Sequence, residues 1–151
     1  MKNVNKRWLA CSLLVAAAAA TIAGPATAEV GQIKVAKGQV SVDRKGQALV
    51  GAVGLLLEAS DVLKTGADGS VGITMRDNSL LSAGPNSILA LERFEFDPTT
   101  SQGRFDARLQ RGSLAVVSGR MAKQSREAMT VRTPSAVLGV RGTEFVVAVD
   151  E

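Results

Sequence analysis

The sequence predicts an all-β domain of many short strands joined by tight turns, wound as a β-roll or solenoid-like coil, with a β-sandwich of small hairpins as the alternative. Three observations predict it. Apolar residues alternate with polar or tiny ones, the period of a half-buried strand, at Val40-Ser41-Val42, Val71-Gly72-Ile73-Thr74-Met75 and Phe105-Asp106-Ala107-Arg108-Leu109. Turn residues break the chain at short intervals: Lys37-Gly38, Lys45-Gly46, Asp68-Gly69, Asp77-Asn78, Gly84-Pro85-Asn86, Asp97-Pro98 and Arg111-Gly112. All but one of the 15 glycines lie beyond residue 28, which suits many reversals because glycine reaches positive φ without steric cost.

In chain order, residues 1–28 come first and are read as a cleavable signal peptide. Lys2, Lys6 and Arg7 give a positive start, Trp8 to Ala20 is an apolar run, and Gly24-Pro25 breaks it before the small triplet Ala26-Thr27-Ala28. Cleavage is expected between Ala28 and Glu29. The apolar run is short of the roughly 20 residues that span a bilayer. Cys11 sits at the start of that run rather than after it, so it is not read as a lipid-attachment site. The remaining residues, 29–151, form one domain with no further membrane span, and the product is expected in the periplasm or, alternatively, secreted outside the cell.

Within the domain, Ser70-Val71, Ser79-Leu80 and Ser87-Ile88 each follow a turn, a weak rhythm of short strands. Apolar residues fall at Leu89 and Leu91, then at Phe94 and Phe96; the slip at Glu92-Arg93 predicts a bulge or sharp bend. Asp97 to Gly103 reads as an exposed loop. Gly119 to Ala128, charged and poor in apolar residues, reads as a mobile connection or a short surface helix. Phe145 to Val149 is unbroken and valine-rich, which suits a strand covered on both faces. Alternation sends Phe145, Val147 and Val149 one way, and Val146 with Ala148 the other.

Composition removes whole classes of function. The net charge of +4 falls almost to zero once the three cations of residues 1–28 are set aside, which leaves 15 basic against 14 acidic residues. A near-neutral domain whose only aromatics are four phenylalanines is a poor fit to nucleic acid. The chain has no His, and its single Cys is Cys11, so no nucleophile–base pair and no transition-metal site is assigned. Asp68, Asp77 and Asp97 are separate turn residues without the dense acids of a calcium loop. The acids of Asp106/Arg108 and Glu92/Arg93 alternate with cations and read as solvated strand faces. Gly66 to Gly72 lacks the following helix of a phosphate loop and reads as a turn. No catalytic residue and no cofactor is expected.

Two stretches carry a family resemblance. The first is Asp61-Val62-Leu63-Lys64-Thr65-Gly66-Ala67-Asp68-Gly69-Ser70, continuing through Arg76-Asp77-Asn78-Ser79-Leu80-Leu81 to Gly84-Pro85-Asn86-Ser87. The second, more specific, runs Val131-Arg132-Thr133-Pro134-Ser135-Ala136-Val137-Leu138-Gly139-Val140-Arg141-Gly142-Thr143-Glu144-Phe145. Together they resemble the FecR-type domain, named for the periplasmic part of the iron-dicitrate sensor and regulator, over about residues 35–149. In those sensors the domain follows a cytoplasmic anti-sigma segment and a transmembrane helix; here an export signal stands in their place. The resemblance therefore implies a stand-alone, non-enzymatic domain of the envelope.

The residues of the second stretch have a structural reading first. Gly139 and Gly142 frame a turn, Pro134 sets a corner, and Thr133 and Thr143 suit strand ends. Arg141 and Glu144 flank that turn and are placed to pair, while Arg132 is placed to bond turn carbonyls. A partner-binding surface made of Arg132, Thr133, Pro134, Arg141, Gly142, Thr143 and Glu144 is the alternative. The leading function is thus a protein-interaction or envelope-signalling scaffold module whose partner is an unidentified periplasmic or envelope protein. A cell-wall or carbohydrate-binding module is the second class, and it would have to work without Tyr or Trp platforms.

Overall fold

The computed structural model describes residues 28–142 and 144–150; the signal-peptide reading of residues 1–28 and the reading of Thr143 fall outside them, Ala28 excepted. Twelve strands form one continuous curled sheet with two wings. The all-β class, the short strands and the tight turns are all present. Among the described residues no helix is long and apolar enough to cross a membrane.

The first strands alternate between the wings. β1 (Glu29–Lys37) pairs with β4 (Leu56–Glu58) and β6 (Ser70–Met75), while β2 (Val40–Arg44) pairs with β3 (Gln47–Val50) and β5 (Val62–Thr65). β7 (Leu80–Ala83) extends the first group and β8 (Ile88–Phe96) the second. β9 (Gly103–Val117) is long enough to belong to both wings. Its first half lies between β8 and β10 (Met129–Arg132); its second half lies between β7 and β12 (Glu144–Val149). β11 (Val137–Gly139) completes the set against β10.

Period-two alternation builds the core. Val42, Leu63, Leu89, Leu91, Phe105, Ala107 and Leu109 turn inward from one wing, and Ile33, Val71, Ile73, Leu81, Leu114 and Val116 from the other; all are buried. The phase slip read at Glu92-Arg93 is a bulge: Leu91 pairs with Ala107 and Arg93 with Asp106, leaving Glu92 extra. The slip returns Phe94 to the inner face, where its ring meets Phe105 edge-on at 5.7 Å between centroids.

The serine rhythm has a physical basis at the corners. Ser79 and Ser87 are buried, and each ties a turn to a more distant stretch. Ser79 Oγ donates to Asp77 Oδ2 (2.7 Å) and accepts from the Gly119 amide (2.9 Å). Ser87 Oγ accepts from the Ser113 amide (3.0 Å) and donates to the Ser113 carbonyl (3.2 Å). A buried turn must place its polar groups somewhere, and hydroxyls do it here.

Three expectations are corrected. Arg111-Gly112 is not a reversal: the chain continues straight through it as β9 passes from one wing to the other. Residues 119–128 do hold a short helix, a 3-10 turn at Met121–Lys123, but Met121, Ala122 and Ala128 are buried in the core, so the segment is anchored rather than lying free on the surface. β10 runs parallel to β9, so the chain needs a crossover there, and this segment is that crossover. The Arg120 guanidinium covers the Phe96 ring at 5.2 Å. Finally, β12 is covered on one face only: Phe145, Val147 and Val149 pack against the core as alternation predicts, while Val146 is 71% exposed.

The loop read at Asp97 to Gly103 is present and held by one carboxylate. Asp97 accepts from the Thr99 amide and the Thr100 hydroxyl, both at 2.9 Å. These bonds, the Thr99 amide first, hold its pKa below the ordinary aspartate range. The order it lends the loop is therefore complete above the unfolded aspartate pKa and is lost as pH falls through the depressed folded value. An NMR titration of the side-chain carboxyl is expected to place the Asp97 midpoint below that of an unstructured aspartate; a midpoint at or above it refutes this account.

Candidate functional site

The candidate site lies on the outer face of the wing that contains β8, the first half of β9, and the β10–β11 hairpin. Strand alternation puts Arg108 on that face, and Arg132 lies directly beside it in the parallel register. The bulge pushes Glu92 out of the β8 ladder toward both. Its carboxylate meets Arg108 Nε at 2.8 Å and Arg132 Nη1 at 3.9 Å. One carboxylate thus serves two guanidinium groups, tightly the first and loosely the second. Arg108, Gln110, Arg132, Thr133, Pro134 and Val137 line an open groove of about 590 Å³ at this point.

The hairpin is built by the signature residues. Thr133 accepts the Ala136 amide on Oγ1 at 3.0 Å, and the Thr133 amide donates to the Ala136 carbonyl at 2.8 Å, closing a turn with Pro134 at its second position. Pro134 also borders a second hollow, with Gln110, Arg111 and Ala148, so the groove continues toward the end of β12. Val137 is 69% exposed and supplies an apolar rim.

The structure therefore gathers Arg132, Thr133 and Pro134 in one groove and leaves Arg141, Gly142 and Glu144 out of it. The expected Arg141–Glu144 pair is not among the ion pairs of the described residues; both side chains are exposed. Arg132 does not bond the turn carbonyls, because Thr133 already occupies that of Ala136; it reaches across β9 toward Glu92 instead. Gly142 has φ +58° and open space around it, a conformation suited to glycine.

Several charged residues matter in ways the sequence did not reveal. Asp61, fully buried, holds Arg44 through two bonds, Nε to Oδ1 at 2.9 Å and Nη2 to Oδ2 at 2.7 Å, and accepts the Glu58 amide. Arg44 also reaches Glu58 and the Leu56 carbonyl. Its pKa is held above the ordinary arginine value, first by the bond to Asp61 and against the effect of burial. Asp106, read as part of a solvated face, is buried, with one oxygen on Arg104 at 2.9 Å and Oδ1 without a partner. Among the described residues no three His, Cys, Asp or Glu side chains gather as metal ligands.

What the groove offers is guanidinium charge only partly neutralised, an amide, and an apolar rim. That set suits the carboxylate of an acidic side chain or chain end, which arginine grips with two parallel bonds. Comparison with known proteins adds one finding: a family model described as FecR protein matches residues 61–151, beginning at the buried Asp61 and running through β12. No curated protein and no solved structure matches the chain.

Proposed function

The chain belongs to the FecR family, in general a family of envelope signalling and regulatory domains, and on that premise we propose that it is a non-enzymatic protein-interaction module of the periplasm. The partner is an envelope protein that presents an acidic segment to the groove at Arg108 and Arg132. The observation that carries this reading is the shared Glu92 carboxylate. It sits 2.8 Å from Arg108 but 3.9 Å from Arg132, so Arg132 keeps hydrogen-bonding capacity for a second anion. A charge-assisted bond contributes about 1.5–3 kcal/mol where solvent is excluded.

Arg132→Glu is expected to reduce capture of envelope protein from periplasmic extract by about tenfold or more. Capture by the unmodified domain should also fall as salt is raised. The side chain of Arg132 is 42% exposed, so the substitution should leave the far-UV circular dichroism unchanged. Capture that is indifferent to both the substitution and salt would refute the groove as the site. Sedimentation with purified cell wall in place of protein capture would favour the carbohydrate-binding alternative.

A further inference from the structure

A curled sheet that does not close leaves free edges, and each one displays unpaired backbone N–H and C=O groups. Among the described residues four strands have a neighbour on one side only: β3, β4, β11 and β12. Three of them are blunted. β4 is three residues long, and its edge is occupied by side chains, with Arg44 Nη2 on the Leu56 carbonyl and Asp61 Oδ2 on the Glu58 amide. β11 is three residues long and follows the Pro134 turn. β3 has four residues, and the chain folds back at its end through the Ala52 amide on the Val50 carbonyl.

β12 has none of these devices. It has six residues, Glu144 to Val149, with no Pro, Gly, Lys or Arg among them. Its register against β9 runs without a break from Glu144 opposite Val117 to Val149 opposite Gly112. Phe145, Val147 and Val149 are only half-covered by the core. On the other face, Val146 extends an exposed apolar band that includes Val117, Leu80 and Val35, which are 41%, 48% and 47% exposed. An apolar, unguarded edge of unbroken register is a template for another strand.

We propose that β12 is a self-association edge, at which a second copy of this chain adds its own β12 antiparallel about a two-fold axis through Val146. Pairing must match inward with inward residues, because a slip of one residue reverses every side chain. With the axis at Val146, that residue faces its own copy, Phe145 faces the partner's Val147, and Glu144 faces the partner's Ala148. Every pair across the axis is apolar or of mixed polarity, and no like charges oppose each other. Moving the axis one residue on, to Val147, would set Glu144 against the partner's Asp150, two carboxylates face to face.

Charge favours the second copy over an unrelated strand. The Val146 register carries Asp150 to the partner's Gly142, next to Arg141. Arg141 is exposed and makes no ion pair among the described residues. An edge this short covers less than the roughly 1,200 Å² at the low end of stable interfaces, so the dimer is a dissociating one.

The test uses the full chain with Cys11, its single cysteine, replaced by serine, so that an introduced thiol is the only one whether or not residues 1–28 are removed. Sedimentation over three decades of concentration should show a reversible passage from monomer to dimer. Val146→Lys, at a side chain that faces solvent in the monomer, should raise the midpoint concentration about tenfold or more while circular dichroism stays unchanged. Val146→Cys should form a disulfide-linked dimer under mild oxidation, because directly opposite residues bring their Cβ atoms within about 4.5–5.5 Å. Ala148→Cys, which faces Glu144 of the second copy, should not. A monomer throughout the range, a dimer indifferent to Val146→Lys, or cross-linking through Ala148→Cys as fast as through Val146→Cys would each overturn the proposal. The arginine groove is tested separately, by Arg132→Glu, because the hollow at Pro134 that continues it reaches Ala148 and Val149 of β12.

Discussion

Arg44→Met is expected to lower the stability of the domain by about 3–5 kcal/mol, the usual result of removing one partner from a buried ion pair. The harm comes from what is left behind. Asp61 is fully buried and would keep only the Glu58 amide of its present partners. Arg44 also spans two strand pairs: it projects from β2 and reaches both Glu58 and the Leu56 carbonyl on β4, so its loss frees the β4 edge as well. Set against a typical margin of about 5–15 kcal/mol, such a loss leaves a weak domain unfolded at physiological temperature. Urea unfolding followed by far-UV circular dichroism measures it, since residues 29–151 contain neither Trp nor Tyr. Arg44→Met/Asp61→Asn should recover part of the loss, because asparagine carries no charge and still accepts the Glu58 amide. A loss for Arg44→Met below about 1 kcal/mol, the scale of an exposed pair, would show that Asp61 is not desolvated as the structure has it.

That pair also shows where sequence reading stops. Alternation located β2, β6 and the first half of β9 because period two is a local signal, carried by neighbours along the chain. The bulge at Glu92 was equally legible, since a phase slip is visible in the same short window. Arg44 and Asp61 are 17 residues apart, the one ending β2 and the other just before its neighbour β5, and nothing local in the sequence joins them. Burial of a charge depends on what the rest of the chain lays over it, which is why Asp106 read as a solvated residue. The crossover at residues 119–128 failed for a related reason. Its charges face outward and dominate its composition, while the three apolar residues that fill the core, Met121, Ala122 and Ala128, are too few to make a pattern. Half of the groove was legible: Arg132, Thr133 and Pro134 stand in the family signature, but Arg108 and Glu92 join them only through the parallel pairing of β9 with β10.

Gly112→Ala is expected to be as damaging as a core truncation, and the reason lies in the one glycine that sequence reading misjudged. Gly112 has φ +87°, a left-handed conformation that costs a residue with a side chain about 1–2 kcal/mol. It lies where β9 exchanges β8 for β7 as its neighbour, next to the bulge that leaves Gln110 unpaired. The turn between β7 and β8 folds over this point. A Cβ on Gly112 would stand 2.2 Å from Ser87 Oγ and 2.5 Å from Ser87 Cα. The second contact is with backbone, so rotating or deleting the serine hydroxyl does not relieve it. Ser87 cannot retreat either, because its hydroxyl bonds both the amide and the carbonyl of Ser113. Forced overpacking of this kind adds about 1–3 kcal/mol, for a total of about 2–5 kcal/mol. Gly46→Ala separates the two contributions: Gly46 has nearly the same φ, +85°, with nothing within 4 Å of a built Cβ. Urea unfolding should show the backbone cost alone at Gly46 and both costs at Gly112. Equal losses at the two positions would mean that the β7–β8 turn yields freely, and that β9 is not locked where it passes between the wings.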